Sequence, residues 1–323
     1  MSNFFQEYLV FNKIAGPALF VIGVTLAVGA ANAAAATPAL ARGLPQAGTG
    51  MLAASPSGER GMWLWNDIDI GTIAKQTTVL DFAAGKKVTT IYLHSEGLLK
   101  NTPKLLENFI NLAASRNIGV ELLFGASEWT FTNNHPIALA LVAKANAFVT
   151  SLQGAKPRGL HFDVEPHALP GWAANQTSYG NQLLALYGKI QKEKLPGLYL
   201  NADIAMGYSV VNITRNGVTK PLSHWLVDSV DRTTVMTYRD YAQGPDSIIS
   251  HGNDPVNYAA TIGKRSYIGV ETTCNLQPEK ITFCEEGNAA MEAALASVVA
   301  NYRANSGFGG IAVHDYRAYL ILK

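Results

Sequence analysis

From residue 59 to its end, the chain alternates between short apolar runs and longer segments with helical periodicity. In the longer segments, such as 103–116, 136–152, 179–194 and 289–304, apolar residues recur every three or four positions, as in helices packed on one face. Several apolar runs follow Gly or Pro-Gly, which is typical of the turn between a helix and a strand. The runs predict eight β-strands, over residues 62–65, 88–94, 120–124, 160–164, 198–204, 233–238, 267–271 and 310–314.

This alternation predicts the fold class. Strands separated by helical crossovers form a parallel sheet with right-handed connections. Eight such units within about 260 residues predict one closed (β/α)8 barrel, a TIM barrel, over residues 59–323. Only residues 316–323 follow the last strand, so we expect the final helix to be truncated.

Residues 1–58 do not follow the barrel pattern. Residues 14–31 are apolar and uncharged, and Ala31-Asn32-Ala33 then provides the small residues of a signal-peptidase site. We predict a signal peptide over residues 1–33, followed by a flexible linker over residues 34–58. The protein is then secreted or periplasmic. An uncleaved membrane anchor is the alternative, because about 18 apolar residues approach the length that spans a bilayer.

Composition and charge narrow the functional classes. The chain has 25 Lys and Arg against 24 Asp and Glu, and a net charge of +1 argues against a nucleic-acid partner. No glycine-rich phosphate motif follows a strand, so we expect no nucleotide cofactor. In an oxidising compartment, Cys274 and Cys284 are expected to close a short loop as a disulfide. We expect a monomer that needs no cofactor or metal.

Side chains alternate along a barrel strand between the interior and the helices, which predicts the residues that point inward. In the fourth strand the apolar residues face the helices, and the inward set is His161, Asp163 and Glu165. In the other strands the residues predicted on the inner face or at the rim are His94, Glu96, Asn201, Asp203, Tyr238, Arg239, Asp240, Glu271 and His314. The carboxyl ends of barrel strands carry active sites, and unpaired buried carboxylates cost several kcal/mol, so this cluster indicates a functional mouth.

Carboxylates beside aromatic residues suit the cleavage of glycosidic bonds. One carboxyl group protonates the leaving oxygen, while the other attacks the sugar or activates water. Indole rings near the strand ends can stack on sugar rings or belong to the core, and both interpretations stay open for Trp63, Trp65, Trp129 and Trp172. Trp225, within a predicted helix, is expected in the core.

The fourth strand, with the sequence RGLHFDVE over residues 158–165, resembles the DGxDxDxE motif of glycoside hydrolase family 18, the chitinase-like enzymes. The segments VMTY and FGGIAVH resemble the sixth and last strands of that family. The resemblance implies that Glu165 is the general acid, that Asp163 orients it and the substrate amide, and that Tyr238 is a substrate ligand. Arg158, His161 and Arg239 stand where the family has Asp.

A second resemblance involves the same mouth. Glu165 before Pro166 and Glu271 before Thr272 are similar to the acid/base and the nucleophile of the clan A retaining glycosidases. Those enzymes usually have Asn before the acid/base, and this chain has Val164 there. This resemblance implies two carboxyl groups about 5–5.5 Å apart and a covalent intermediate. The two resemblances agree on Glu165 and differ at Glu271.

Other functions remain open at this point. A sugar-binding barrel without catalysis, related to lectins, would use the same residues. A metal-dependent hydrolase would use His94 with Glu96, His161 with Asp163, and His314 with Asp315 as ligands. A purely structural barrel is the third alternative.

We favour an exported, retaining glycosidase that acts on a polysaccharide or oligosaccharide. The catalytic residues are then Glu165, Asp163 and Glu271. The predicted sugar ligands are Tyr238, Asn201, Asp203, His161, Trp65, Trp129, Glu96, His94, Arg239, Asp240 and His314. Asp203 could instead be an ion-pair partner of Arg239.

Overall fold

The computed structural model describes residues 58–323. The predicted signal peptide and all but the last residue of the predicted linker lie outside these residues. Eight parallel strands close into one barrel in the order in which they follow one another along the chain, with the last strand bonded to the first. This is the predicted (β/α)8 TIM barrel.

The eight barrel strands lie within three residues of the predicted bounds at each end. They are β1 (Glu59–Leu64), β2 (Thr90–His94), β3 (Gly119–Gly125), β4 (Gly159–Asp163), β5 (Tyr199–Ala205), β8 (Arg232–Met236), β9 (Arg265–Glu271) and β10 (Phe308–His314). The helices are α1 (Ile73–Gly85), α2 (Glu96–Asn101), α3 (Pro103–Ser115), α4 (His135–Ser151), α5 (Trp172–Glu193), α6 (Leu222–Ser229), α7 (Ile248–Thr261), α8 (Gly287–Tyr302) and α9 (Tyr316–Ile321). As predicted, the helix after the last strand is short.

One element was not predicted. Strands β6 (Asn212–Arg215) and β7 (Val218–Pro221) form an antiparallel hairpin between β5 and α6, outside the barrel. Its turn contains Asn216 and Gly217, both with positive φ angles. Asn-Gly between short alternating segments is a strong hairpin signal, and it could have identified this element from the sequence.

The apolar residues form two layers. A large layer lies between the strands and the helices, and it includes Leu160, Phe162 and Val164 of the fourth strand region. A small inner cluster contains Trp63, Tyr92, Leu123 and Ala312. The predicted alternation of the fourth strand is therefore confirmed on its apolar side.

The loop after β9 contains the predicted disulfide. Cys274 and Cys284 are bonded, with their Cα atoms 5.0 Å apart. Closing a loop of this length stabilises the folded chain by about 2–3 kcal/mol, mainly by restricting the unfolded loop. Within residues 58–323, no helix has the length and apolar character needed to cross a bilayer.

Candidate active site

Asp163 and Glu165 lie together where β4 ends. Asp163 is the last residue of the strand, and Glu165 precedes a short turn that begins at Pro166. The Glu165 side chain is 20% exposed, so it is reachable from the barrel mouth. Burial and the negative charge of Asp203 raise the pKa of Glu165 to about 7, although His314 opposes them. A carboxyl group with this pKa can hold a proton near neutral pH.

Asp163 occupies a similar environment. Burial, followed by the charges of Glu165 and Asp203, raises the pKa of Asp163 well above its ordinary value. Its Oδ1 atom is buried and has no hydrogen-bond partner among residues 58–323. Two neighbouring carboxyl groups that both resist ionisation share protons near neutral pH.

Below these two groups, His161 lies between two buried carboxylates. Its Nδ1 is 3.0 Å from Oε2 of Glu121, and its Nε2 is 2.9 Å from Oδ1 of Asp203. Burial alone lowers the pKa of His161, but the charges of Asp203 and Glu121 outweigh it and raise the pKa to about 10. We refer to Glu121, His161 and Asp203 as the buried triad.

Two further side chains complete the surroundings of the buried triad. The Asn201 amide donates to Oε2 of Glu121 at 3.0 Å, and the Trp63 indole donates to Oδ2 of Asp203 at 3.0 Å. Asn201 and Asp203 therefore point inward, as predicted, but their polar atoms contact protein groups. The predicted alternative, an ion pair between Asp203 and Arg239, is wrong, because both oxygens of Asp203 face His161 and Trp63.

Glu271 and His314 form a hydrogen-bonded pair at the ends of β9 and β10. The Nδ1 of His314 is 2.8 Å from Oε2 of Glu271, and the backbone N–H groups of Thr272 and Thr273 donate to Oε1. Burial raises the pKa of Glu271, but His314 and the Thr273 N–H outweigh burial and lower it. Glu271 is thus a fully buried, ionised carboxylate.

Trp65 lies over this pair at the rim. Its indole N–H donates to Nε2 of His314 at 2.9 Å. Because Nε2 accepts in that bond, it favours the neutral imidazole with its proton on Nδ1. Burial also lowers the pKa of His314, but the charge of Glu271 outweighs burial and raises it. The Trp65 ring is half-buried and lies 5.6 Å from the ring of His94, so both predicted residues are at the mouth.

Sequence reasoning missed His167, which lies next to Glu165. The Nε2 of His167 is 3.7 Å from Oε1 of Glu165, and its Nδ1 is 2.8 Å from the hydroxyl of Tyr208. Burial lowers the pKa of His167 to about 4, so its ring is neutral. His167 follows Glu165 by two residues, and this spacing was its only signal. Glu121 was also missed, although a lone Glu in an apolar strand could have identified it.

Tyr238 is placed as predicted. Its ring lies 6.1 Å from the ring of His314. Burial and the charges of Glu271, Asp203, Asp163 and Glu165 raise its pKa well above the ordinary value, so its hydroxyl remains a hydrogen-bond donor.

Several predicted sugar ligands lie elsewhere. Trp129 is 5% exposed and packs on Phe162 in the outer layer, because its loop folds against the helices. Glu96 begins α2 and is exposed, since β2 ends at His94. The prediction that Glu96 lies on the inner face is therefore wrong, and Trp129 belongs to the core.

Two residues after β8 also have other partners. Arg239 is 1% exposed, and its guanidinium binds Asp246 at 2.7 Å and the carbonyl oxygen of Tyr238 at 2.8 Å. Burial and the charge of Glu286 raise the pKa of Asp240 to about 6. The predicted contacts of Arg239 with sugar are excluded by its burial.

The remaining indoles have structural positions. Trp63 and Trp172 are buried, the first inside the barrel and the second beside Tyr179 and Tyr208. Trp225 is half-buried and packs against the outer layer. Trp65 is therefore the tryptophan that the mouth exposes within residues 58–323.

In the same residues, no group of three His, Cys, Asp or Glu side chains is arranged to hold a metal ion.

The fold is similar to those of known chitinases. A chitinase from Bacteroides thetaiotaomicron matches with a TM-score of 0.53 and 13% identity, over 81% of this chain and 90% of that chain. The C-terminal domain of a candidate chitinase from Desulfitobacterium hafniense DCB-2 matches with a TM-score of 0.54 and 13% identity, over 80% and 94% of the two chains. At this identity the similarity shows the shared fold. The predicted (β/α)8 barrel is thus a fold that this chain shares with the two chitinases.

Comparison by sequence finds less. No protein-family profile matches the chain, and no curated protein matches it.

Gly269 on β9 makes room for Trp63. A Cβ atom at this position would lie 3.0 Å from the Trp63 ring and 3.2 Å from the Val235 carbonyl oxygen. We expect Gly269→Ala to displace Trp63 and to lower the free energy of unfolding by about 1–3 kcal/mol. Denaturant unfolding measures the change. The matched control is Gly188→Ala in α5, where no atom lies within 4 Å of the added Cβ. Equal stability of the two variants would contradict the prediction.

Proposed function

We propose that the protein is a glycoside hydrolase in which Glu165 donates a proton to the leaving oxygen of a glycosidic bond. The observation that carries this proposal is the environment of Glu165. It combines access from the mouth with a pKa that burial and the charge of Asp203 raise to about 7. A reachable carboxyl group that keeps its proton near neutral pH has the properties of a general acid.

Asp163 is the second catalytic residue of the proposal. Its unpartnered Oδ1 is ready to bind a polar group of the substrate, since an unsatisfied buried oxygen is costly until it finds a partner. The neighbouring Tyr238 hydroxyl can donate to the same sugar. In substrate-assisted glycosidases a neighbouring group of the sugar itself attacks the anomeric carbon, and the reaction retains configuration. Asp163 would hold that group in place.

Glu271 is less suited to be the nucleophile. Its side chain is fully buried, and both of its oxygens are occupied by His314 and two backbone N–H groups. A nucleophile must contact the anomeric carbon, and Glu271 would first have to leave these partners. We therefore assign Glu271 to the positioning of His314 at the rim.

The proposed substrate is a carbohydrate polymer or oligomer, with N-acetylated amino sugars as the first choice. The fold similarity to two chitinases supports this choice. The half-buried ring of Trp65 offers a flat apolar face for a sugar ring at the mouth.

A carbohydrate-binding barrel without catalysis is the second candidate. It is favoured by the departures from the family 18 motif, since Arg158 and His161 stand where that family has Asp. Arg158 binds Thr90 at 2.7 Å and lies 3.6 Å from Glu59, so it serves the amino end of the barrel.

We expect Glu165→Gln to lower turnover of chitin oligosaccharides by about 10²–10⁴-fold, because the amide cannot supply the proton. Binding of the same oligosaccharides, measured by calorimetry, should persist. Glu193→Gln is the matched control, since Glu193 is an exposed residue at the end of α5, on the side of the barrel where β5 begins. A panel of β-linked glucans and amino-sugar polymers extends the assay. Binding without cleavage by the wild-type protein would favour the second candidate.

The same assay tests Glu271. A covalent mechanism predicts that Glu271→Gln abolishes turnover and that no neighbouring group of the substrate is needed. The proposed mechanism predicts a smaller loss in this variant, together with no turnover of substrates that lack the 2-acetamido group.

The pKa of Glu165 predicts how activity depends on pH. The general acid acts in its protonated form, so kcat/KM should be at its full value below the pKa and fall as the pH rises through about 7. Measurement of kcat/KM between pH 4 and 9 checks this expectation. A profile that stays flat up to about pH 9 would remove Glu165 as the acid.

We also propose that the protein is exported and that its N-terminal segment is removed. Export is consistent with the disulfide between Cys274 and Cys284. Mass spectrometry of the protein from its natural host should find a chain that begins at residue 34 and carries this disulfide. An intact N-terminus in the membrane fraction would support the uncleaved anchor instead.

A further inference from the structure

One hydrogen bond fixes the tryptophan that the mouth exposes. The indole N–H of Trp65 donates to Nε2 of His314 at 2.9 Å. An indole nitrogen can only donate a hydrogen bond, and an imidazole nitrogen accepts one only when it carries no proton. The contact therefore requires a His314 ring with its single proton on Nδ1.

Glu271 lies where it can keep the proton on that nitrogen. Its Oε2 is 2.8 Å from Nδ1 of His314, and its Oε1 accepts from the N–H groups of Thr272 and Thr273 at 2.8 and 2.7 Å. A carboxylate accepts at both oxygens and donates nothing. Since the hydrogen bond at one ring nitrogen decides which nitrogen is protonated, Glu271 favours the proton on Nδ1.

We propose that Glu271 and His314 are positioning residues for Trp65. Glu271 keeps the proton of His314 on Nδ1, and the bare Nε2 then holds the indole ring in the orientation on which a sugar ring stacks. This inference rests on the proposed function for the identity of the ligand. It gives Glu271 a role at the mouth that needs no contact with the substrate.

The ring of Trp65 lies beside a catalytic residue of the proposed function. A Cβ atom on Gly125, at the end of β3, would lie 3.2 Å from Cη2 of the indole and 3.3 Å from Cβ of Asp163. The indole therefore extends from the end of β1 to the end of β3. A change in the orientation of this ring alters the space in which a sugar meets Asp163.

His314 is itself fixed by neighbouring elements. Its carbonyl oxygen accepts from the N–H and the hydroxyl of Thr272 at 2.8 and 2.7 Å. The ring centroids of Trp63 and Tyr238 lie 5.6 and 6.1 Å from that of its imidazole. The disulfide loop begins at Cys274, two residues after Thr272, and restricts the segment that binds His314. The imidazole is therefore a firm anchor for the indole.

Other charges also bear on His314. Burial lowers its pKa, but Glu271, Asp315 and Asp163 outweigh burial and raise it. These carboxylates favour a second proton, for which Nε2 is the remaining position. That proton would point at the Trp65 N–H, so a doubly protonated ring and the 2.9 Å bond exclude each other. The bond seen in the structure belongs to the neutral ring.

The test follows the indole N–H of Trp65 by NMR at neutral pH and without sugar. Protein with nitrogen-15-labelled tryptophan has five indole N–H groups, and Trp65→Phe assigns the signal of Trp65. We expect the wild-type signal to lie downfield and the proton to exchange slowly with solvent, because it is hydrogen-bonded. A rapidly exchanging Trp65 N–H in the wild-type protein would overturn the proposal.

Two substitutions of His314 separate its two nitrogens. The amide of Asn reaches the place of Nδ1, and the amide of Gln reaches the place of Nε2. His314→Asn should therefore release the Trp65 N–H, with an upfield shift and fast exchange. His314→Gln should keep it bonded through the amide oxygen. A Trp65 N–H that stays bonded in His314→Asn would contradict the proposal.

Glu271→Gln tests the proton on His314 without a change in side-chain shape. The N–H groups of Thr272 and Thr273 select the amide oxygen, so the amide NH2 donates to Nδ1 of His314. The ring proton then lies on Nε2 and opposes the Trp65 N–H, which should be released. When His314→Gln is combined with Glu271→Gln, the bond should persist, because Glu271 acts through the imidazole. An unchanged signal in Glu271→Gln alone would refute the proposed role of Glu271.

Binding of chitin oligosaccharides tests the use of the held ring. Calorimetry in the Glu165→Gln background, which prevents cleavage, should find Kd raised about 3–10-fold by Trp65→Ala, His314→Asn or Glu271→Gln. His314→Gln should stay close to the parent. With Glu165 intact, the loss should appear in KM more than in kcat. A merely structural role would not separate His314→Asn from His314→Gln.

Trp225→Phe is the matched control. The Trp225 indole donates to the carbonyl oxygen of Ile213 at 2.9 Å, so the variant removes a bond of the same length outside the barrel. It should leave the Trp65 signal and the Kd unchanged. In the other variants the Trp225 signal is the internal reference.

The NMR result does not depend on sugar. If the wild-type protein binds no carbohydrate, the proposed function fails, while the Trp65 signal still decides whether Glu271 and His314 hold the ring. If the ring is released but oligosaccharides bind as tightly as before, the positioning role is overturned. Circular dichroism checks folding, and His314→Asn alone decides the test if Glu271→Gln does not fold.

Discussion

Charged side chains inside the barrel must be paired, because a lone buried charge costs several kcal/mol. The inner face of the neighbouring strands β3, β4, β5 and β8 meets this constraint with alternating charges. Glu121, His161, Asp203 and Arg232 come from these four strands in that order. Their mutual contacts link β3 to β4, β4 to β5, and β3 to β8 inside the barrel.

The same constraint explains why two carboxyl groups at the mouth behave differently from the others. Glu271 has His314 and two backbone N–H groups as partners, and its pKa is lowered against the effect of burial. Burial raises the pKa values of Asp163 and Glu165 first and neighbouring carboxylates raise them second, although nearby histidines oppose the carboxylates. One barrel therefore contains a carboxyl group whose pKa is lowered and two carboxyl groups whose pKa values are raised, because their partners differ.

The tryptophans have different roles according to whether they lie inside the barrel, under the helices or at the rim. Trp63 fills the interior above Gly269 and donates to Asp203, whereas Trp129 belongs to the layer beneath the helices. Trp65 lies between these environments, at the rim. Its indole N–H binds His314, and its ring remains partly open.

Patterns among residues close together in the chain were sufficient to predict the strands, the inward residues of the fourth strand and the disulfide. The periodicity of apolar residues determined the eight strands and the barrel, and strict alternation along residues 159–165 determined that His161, Asp163 and Glu165 point inward. The spacing of Cys274 and Cys284 determined the disulfide, because a short loop leaves the two residues near each other. These inferences succeeded because each depends on residues close together in the chain.

Side-chain partners were decided only by the tertiary structure. The triad joins Glu121, His161 and Asp203, which are 40 and 42 residues apart, and Trp63 reaches Asp203 across 140 residues. The sequence offered Asp203 as an ion-pair partner of Arg239, whereas the loop after β8 brings Asp246 to it. A pattern can show that a charged residue points into the barrel. Which charge neutralises it depends on how the closed sheet brings distant strands together, and that closure sets the partners of every buried group.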